Sequence, residues 1–325
     1  MNALVTGATG FIGSVLCRML VIEGHKIRVL ALPGEDTQAL LELGAEIRYG
    51  NLLDKEGIKG ICKGIHTVFH LAARVTDWGS REQFSQAIYD STVNLMVEAA
   101  GSAKRFLYVS SIAAIGLGRH MKGIKEGDPV FRSGIPYNDA KLDAERLVMA
   151  FHETGLVACT IVRPANVTGP GSLWVRDIIE KMLMMPMPLI DGGRHSASLI
   201  YVDNLVDGII RAATSEKAKG KIYHLMDDWD VTWKQYINDL GALVGKKSLG
   251  SLPYPVARML GSVMDLVCTP LNIRPAISRM AADITGRNND VDTTLAQSEL
   301  GWKTKITYPE AMDKISAWVR ETYKI

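Results

Sequence analysis

The chain has 325 residues, 47% of them apolar and 22% charged, with a net charge of +2. That is a globular composition, with room for one large core or for a nucleotide-binding unit and a smaller appended one. A near-neutral balance with no basic run longer than two residues excludes nucleic acid as an expected partner, and no apolar run reaches the roughly 20 residues of a membrane span.

The first residues, Asn2 to Thr6, run straight into Gly7, so no leader peptide is expected. Strand-like runs at Ala3–Thr6, Lys26–Leu32, Glu46–Tyr49, Thr67–His70, Arg105–Ser110 and Val157–Val162 alternate with helix-like stretches. Phe11–Glu23 has the helical spacing Ile12, Val15, Leu16, Met19, Leu20; Arg81–Ala100 and Pro136–Glu153 are the other long helices of this half. Continuously apolar strands separated by helices predict an α/β fold, a doubly wound parallel sheet of Rossmann type with its crevice at the carboxyl ends of the strands. Beyond about Arg163, Pro and Gly become frequent (Pro164, Gly169, Pro170, Gly171, then Pro186, Pro188, Gly192, Gly193) and predict loops that leave the sheet. Strand-like pieces return at Ser198–Val202 and Ile222–Met226, and helices at Asn204–Thr214, Trp233–Val244, Val256–Val267 and Tyr308–Tyr323. The expected division is a nucleotide-binding domain over 1–165 and a second half, 166–325, in which the last sheet strands interleave with a smaller substrate-binding domain. The cysteines Cys17, Cys62, Cys159 and Cys268 are scattered and read as reduced thiols of a cytoplasmic protein, not as a metal site or disulfide frame.

The first strand turns into the first helix through Thr6-Gly7-Ala8-Thr9-Gly10-Phe11-Ile12-Gly13. Gly7 permits the tight turn, Gly10 the approach of a pyrophosphate, and Gly13 close packing of helix on sheet. The anion then meets the free N–H groups of the helix N-terminus. A tight turn without a ligand is the alternative. At the end of the second strand, Ala31 and Leu32 supply neither an acid for a ribose hydroxyl nor an Arg for a 2′-phosphate, which leaves NAD and NADP open. Arg74 is a candidate phosphate contact or a solvated surface residue.

Tyr137 and Lys141 stand four residues apart and share a helix face. A free phenol titrates near 10, and an ammonium beside it favours the phenolate, so Tyr137 is the expected proton donor and acceptor. Tyr108-Val109-Ser110-Ser111 ends the fifth strand at the crevice, where a hydroxyl steadies charge developing on a reacting oxygen.

Together these pieces resemble the extended short-chain dehydrogenase/reductase family. The matching segments, in order, are Thr6–Gly13, His70–Ala73, Tyr108–Ser111, Tyr137–Lys141, Arg163–Gly171 and Tyr201–Asn204. The resemblance implies an NAD- or NADP-dependent oxidoreductase with Ser111, Tyr137 and Lys141 as catalytic residues; Ser111 is preferred to Ser110 because it stands five residues before Gly116. It implies cofactor contacts at Gly7, Gly10, Phe11, Ile12 and Gly13, at Asn51 and Leu52 near the adenine, and at Ala72, Ala73 and Arg74. Pro164, Asn166 and Val167 are implied near the nicotinamide, where Tyr137 and Lys141 also contact it. No metal is implied. The helices 81–100 and 136–153 are the family's usual homodimer face.

Departures select the branch. Ile112 and Ala113 replace the Asp-Glu pair of sugar dehydratases, Ala197 stands where epimerases place a phosphate-binding Arg, with Arg194 or His195 the nearby substitutes, and Ile88 replaces an Asn. The remaining resemblance is to the 3β-hydroxysteroid dehydrogenase and β-keto reductase branch, which implies a lipophilic small-molecule substrate. Met182, Met184, Met185 and Met187 fit an adaptable apolar pocket or ordinary core filling. The stretch 252–271 reads as an apolar lid, a helix on a membrane surface, or a plain packed helix. The turn at Asp77–Gly79 walls the substrate pocket or anchors a loop. A nucleotide-sugar 4-epimerase and a non-enzymatic redox sensor are the competing functions; Tyr137 and Lys141 count against the sensor.

Overall fold

Apolar strands alternating with helices bury both faces only as a parallel sheet between helical layers, and the computed structural model, which describes residues 1–324, is built that way. The first half contains β1 (Asn2–Thr6), α1 (Phe11–Ile22), β2 (Lys26–Ala31), α2 (Gln38–Glu42), β3 (Glu46–Tyr49) and β4 (Thr67–His70). The helix expected over 81–100 is α3 (Arg81–Phe84), a π-helical turn at Ser85–Asp90 and α4 (Ser91–Ala99). Then come β5 (Arg105–Val109), a 3₁₀ turn at Ile112–Ile115, β6 (Met121–Ile124), α5 (Pro136–Glu153) and β7 (Ala158–Pro164).

The second half contains β8 (Asn166–Thr168), α6 (Leu173–Met184), β9 (Leu189–Ile190), β10 (Leu199–Tyr201), α7 (Val202–Thr214), β11 (Lys221–Leu225) and α8 (Trp233–Leu243). It ends with β12 (Ser251–Leu252), α9 (Tyr254–Cys268), α10 (Arg279–Thr285), β13 (Asn289–Val291), α11 (Thr294–Leu300) and α12 (Tyr308–Tyr323).

The main sheet has seven parallel strands in the order β11-β7-β5-β4-β1-β2-β3. The chain winds outward from β1 to β3, then returns to β4 on the other side. This reversal leaves a crevice at the carboxyl ends of β1 and β4. Two expectations are corrected here. The strand at 198–202 does not join the main sheet: β10 pairs with β8 as a separate two-stranded sheet. The segment after Pro170 is not all loop, because Ser172 caps α6 by accepting the Val175 N–H, and Val175, Ile178, Ile179 and Met182 form its buried stripe.

Cys17, Cys62 and Cys159 are buried and Cys268 is half-buried; burial pushes the first three thiols up to about 12. Among the described residues, one ion pair is fully interior. Arg163 of β7 donates two hydrogen bonds, of 2.9 and 2.6 Å, to the Glu145 carboxylate of α5, with each side chain 3% exposed. It fixes α5 to the sheet, and removing one partner strands the other charge. Arg163→Met is therefore expected to cost about 3–5 kcal/mol, read from the midpoint and slope of a urea unfolding curve.

Candidate active site

The crevice is a single cleft of about 1320 Å³, larger than one drug-sized ligand fills. Its floor begins at the glycine turn. Gly7 has φ +69, and a Cβ there would lie 2.8 Å from the Ala72 nitrogen; a Cβ on Gly13 would lie 2.0 Å from the Gly7 carbonyl oxygen. Only glycine allows these approaches. The N-cap of α1 is Gly10, which has no side chain to accept from the first turn, and no acid stands in that turn. Unclaimed N–H groups at a helix N-terminus, facing a cleft of this size, fit the pyrophosphate of a dinucleotide.

A buried hydrogen-bond chain joins this turn to the loop after β4. The hydroxyl of Thr6 lies 2.7 Å from Nδ1 of His70 and accepts the Ala72 N–H at 3.3 Å, while Nε2 of His70 lies 3.0 Å from the Thr92 hydroxyl. Burial and the Lys141 charge push His70 down to about 3, so the imidazole is neutral and serves as a strut.

The residues nominated for catalysis and cofactor binding all line this one cleft: Gly7, Gly10, Phe11, Ile12, Gly13, Asn51, Leu52, Ala72, Ala73, Arg74, Ser111, Tyr137, Lys141, Pro164, Asn166 and Val167. Arg194 and His195 do not line it; Arg194 pairs with Asp191 at 3.4 Å and His195 is buried 3.6 Å from the same carboxylate. Ala197 is fully buried. Ile88 is buried in the π-helical turn, where its carbonyl accepts the Thr92 hydroxyl.

Glu35 was missed. It lines the cleft beyond β2, held there because its carboxylate accepts the Leu32 N–H at 2.9 Å. The visible signal was an acid just past the Pro33-Gly34 turn, three residues beyond the strand-end position that the motif rule examines.

At the far side, Pro136 at the first turn of α5 starts the helix that carries Tyr137 and Lys141. Tyr137 meets Phe84 edge-on, with ring centroids 5.9 Å apart. Lys141 donates to the Val109 carbonyl at 2.9 Å, and its ammonium lies 4.9 Å from the Tyr108 ring centre. Ser111 caps the 3₁₀ turn by accepting the Ala113 N–H at 3.1 Å, while the buried Ser110 hydroxyl has no partner among the described residues. The electrostatics differ from the expectation of a phenol made acidic by its neighbour. Burial pushes Tyr137 up to about 12, with Ser111 drawing it part of the way back. Burial likewise pulls Lys141 down to about 7, against the Glu145 carboxylate. Desolvation thus favours the neutral form of both, against the pull of Ser111 and Glu145.

The rest of the cleft is mainly apolar, walled by Trp174, Met187, Ile190, Trp233, Leu252 and Met280, with Asp77, Asp177, Lys181 and Arg274 also on its lining. The methionine cluster divides: Met182 is in the core, whereas Met184 and Met185 line the outer cleft, 86% and 66% exposed. Across the mouth, Arg274 pairs with Asp177 of α6 and Asp77, and Ser278 donates to Asp77 at 2.8 Å.

The family model described as the NAD dependent epimerase/dehydratase family matches residues 3–225. A 4-hydroxy-2-methyl-3-oxo-4-farnesyl-3,4-dihydroquinoline-1-oxide ketoreductase of Stigmatella aurantiaca is 27% identical, covering 97% of this chain and 96% of its own. A 2-alkyl-3-oxoalkanoate reductase of Stenotrophomonas maltophilia is 25% identical, covering 98% of this chain and 99% of its own. Among solved structures, a UDP-glucose 4-epimerase of Thermotoga maritima superposes with a TM-score of 0.79 at 22% identity, covering 99% of this chain and 100% of that one.

The Lys141 shift has a consequence for stability. A lysine titrates near 10.4 in an unfolded chain and near 7 here. Between these values the unfolded state binds more protons, so the penalty of burying Lys141 is greatest at and below neutral pH and fades as pH rises. The stability of the wild type relative to Lys141→Met is expected to climb by up to about 1.4 kcal/mol per unit between about pH 7 and pH 10. Urea unfolding across that range measures it; a flat difference would refute the buried lysine's shift.

Proposed function

The chain belongs to the NAD-dependent epimerase/dehydratase family and is an NAD(P)-dependent dehydrogenase or reductase of the extended short-chain type, and from that premise we propose that it interconverts a secondary alcohol and a ketone on a lipophilic substrate. One observation carries this reading: the cleft runs unbroken from the glycine turn, past Ser111, Tyr137 and Lys141, into a wall of methionine, tryptophan, leucine and isoleucine side chains. The two relatives are named for ketone reduction on molecules bearing farnesyl and alkyl groups. The epimerase alternative lacks support where it needs it, since neither Arg194 nor His195 faces the cleft.

In this reading Gly7, Gly10, Phe11, Ile12 and Gly13 hold the pyrophosphate, Asn51 and Leu52 flank the adenine, and Ala72 and Ala73 back the pyrophosphate and ribose. Pro164, Asn166 and Val167 border the nicotinamide, and Lys141 takes the ribose hydroxyls. The bound cofactor supplies or accepts the hydride. Ser111 donates a hydrogen bond to the reacting oxygen. Tyr137, kept protonated by burial, hands its proton to that oxygen during reduction and takes it back during oxidation. The apolar walls exclude water from the exchange.

Cofactor choice follows from the second strand. Leu32 offers no charge to a 2′-phosphate, and the Glu35 carboxylate repels one while accepting from a ribose hydroxyl. NAD is the assigned cofactor. Two exposed features complete the reading. The outer face of α9 shows Val256, Met259, Leu260, Val263, Leu266 and Val267 with no charge among them. Among the described residues no helix is long and apolar enough to cross a membrane; the exposed apolar face of α9 is what supports a helix lying on a lipid surface. A second copy is assigned to the face formed by the helical segments 81–100 and 136–153.

Tyr137→Phe is expected to lower kcat by about 10²–10⁴-fold on a lipophilic ketone with unchanged NADH binding; undiminished turnover would remove Tyr137 from its role, and turnover confined to UDP-sugars would favour the epimerase. NADH is expected to bind at least about 10-fold tighter than NADPH in fluorescence titrations, with the gap narrowed by Glu35→Gln; tighter NADPH binding would contradict the assignment. The protein should co-sediment with phosphatidylcholine–phosphatidylglycerol vesicles and lose this in a Val263→Glu, Leu266→Glu double variant; equal sedimentation of both would exclude α9 as the contact.

A further inference from the structure

The phenol of Tyr137 rests against a ring, and that ring rests against a cation. Phe84 meets Tyr137 edge-on, ring centres 5.9 Å apart, and is itself 2% exposed. It is the last residue of α3, a helix of four residues that passes at once into the π-helical turn at Ser85–Asp90. So short a helix has little stability of its own, and the ring is fixed by what it touches. Arg74, on the loop after β4, brings its guanidinium carbon to 5.8 Å from the centre of the Phe84 ring and 5.4 Å from the centre of the Trp78 ring. Both lie within the roughly 6 Å over which a cation and an aromatic face attract.

The surroundings build a clamp. The Nε of Arg74 is buried with no acceptor among the described residues, so at that atom the side chain meets rings and not an acid. The turn after Trp78 closes directly on the pair: Gly79 has φ +139, and a Cβ there would lie 3.2 Å from Cε2 of Phe84 and 3.3 Å from Nε of Arg74. Both ends of this turn are tied down. Before it, the Asp77 carboxylate accepts the Ser278 hydroxyl at 2.8 Å and pairs with Arg274 at 3.5 Å. After it, Ser80 accepts the Gln83 N–H at 3.1 Å while the Gln83 side chain accepts the Ser80 N–H at 3.0 Å, a capping box that starts α3.

Resting on the alcohol–ketone reading above, we propose that Arg74 is a positioning residue: stacked with Trp78 and Phe84, it holds the Phe84 ring against Tyr137 and so fixes the angle from which the phenol meets the reacting oxygen. Proton transfer needs that phenol within hydrogen-bond reach of the oxygen, and a misplacement of about 1 Å costs on the order of 10²-fold in rate. In this role Arg74 touches neither the substrate nor the reacting atoms, so its effect does not depend on a charge in the substrate. It works by packing and not by its field: burial is the main cause of the phenol's high proton affinity, with Ser111 opposing it. The two modes differ in sign. Loss of a nearby positive charge raises the pKa of a phenol, whereas loosened packing admits water and lowers it.

The test uses the purified enzyme with NADH and 2-dodecanone, an uncharged probe. Arg74→Met is expected to lower kcat by about 3- to 30-fold, with KM for the ketone and NADH binding within about twofold of the wild type, and Arg74→Lys should recover part of the loss. Phe84→Leu should lower kcat at least as far, and Arg74→Met added to it should cost less than about twofold more, because the route through the ring is already cut. Trp78→Leu leaves the guanidinium in place and should lower kcat in the same sense; it carries the test if Arg74→Met does not fold. In protein labelled with 3-fluorotyrosine, the Tyr137 resonance, assigned by its loss in Tyr137→Phe, should titrate about one unit lower in Arg74→Met than in the wild type. The phenol's titratable and hydroxyl neighbours, Ser111, Tyr108 and, one helical turn on, Lys141, are the same in both proteins. The proposal is overturned if kcat is unchanged, if the loss falls on KM or NADH binding instead, if the Arg74 and Phe84 losses multiply, or if the Tyr137 midpoint rises. Failure of the folded wild type to reduce the ketone overturns the alcohol–ketone reading, and the fluorine titration then decides Arg74 by itself.

Discussion

Three stretches of backbone meet at a separation that only hydrogen can occupy. The start of α1 rests on the turn after β1 so closely that a methyl group on Gly13 would lie 2.0 Å from the Gly7 carbonyl, and the same turn lies against the loop after β4. This contact fixes the N-terminus of α1 over the carboxyl edge of the sheet, and the Thr6–His70–Thr92 chain locks the β4 loop to it from beneath. The position of the cleft, and of the loop that carries Ala72 to Asp77, follows from that one approach. A protonated His70 would put a charge into the chain's buried centre; burial prevents it.

Much of this was legible in the residues because the signals are local. α5 begins and ends where the sequence predicts, since a proline suits the first helical position and the apolar spacing continues without interruption to Glu153. The glycine turn is equally readable: each of its three glycines answers a separate steric demand. What escaped was set by distant contacts. β10 has the composition of a core strand, yet pairs with β8 because the chain has already left the sheet at Pro164. Helix α6 lies between clusters of Pro and Gly that suggest loop, although Ser172 and the stripe from Val175 to Met182 were there to be weighed. Glu35 is brought to the cleft by a hydrogen bond rather than by its place in a motif. The partnership of Arg74, Phe84 and Tyr137 joins three segments that no spacing rule connects.

Proton affinities were the least legible feature. Spacing alone puts an ammonium one helical turn from a phenol and suggests that the phenol becomes acidic. The folded chain buries both groups almost completely, and desolvation acts on each more strongly than they act on one another, so the phenol moves up and the amine down. Sequence identifies the pair, but the dielectric around it is a property of the whole fold, including Phe84, Tyr108 and the Arg163–Glu145 pair packed behind.

The distribution of thiols gives the molecule a built-in handle. Three of its four sulfurs are enclosed and kept protonated, whereas Cys268, at the last turn of α9, is half open to solvent. A maleimide or nitroxide added to the unaltered chain will attach at that sulfur ahead of the rest. The native sequence therefore already accepts a single spectroscopic reporter, and that reporter stands on the helix whose apolar side faces outward.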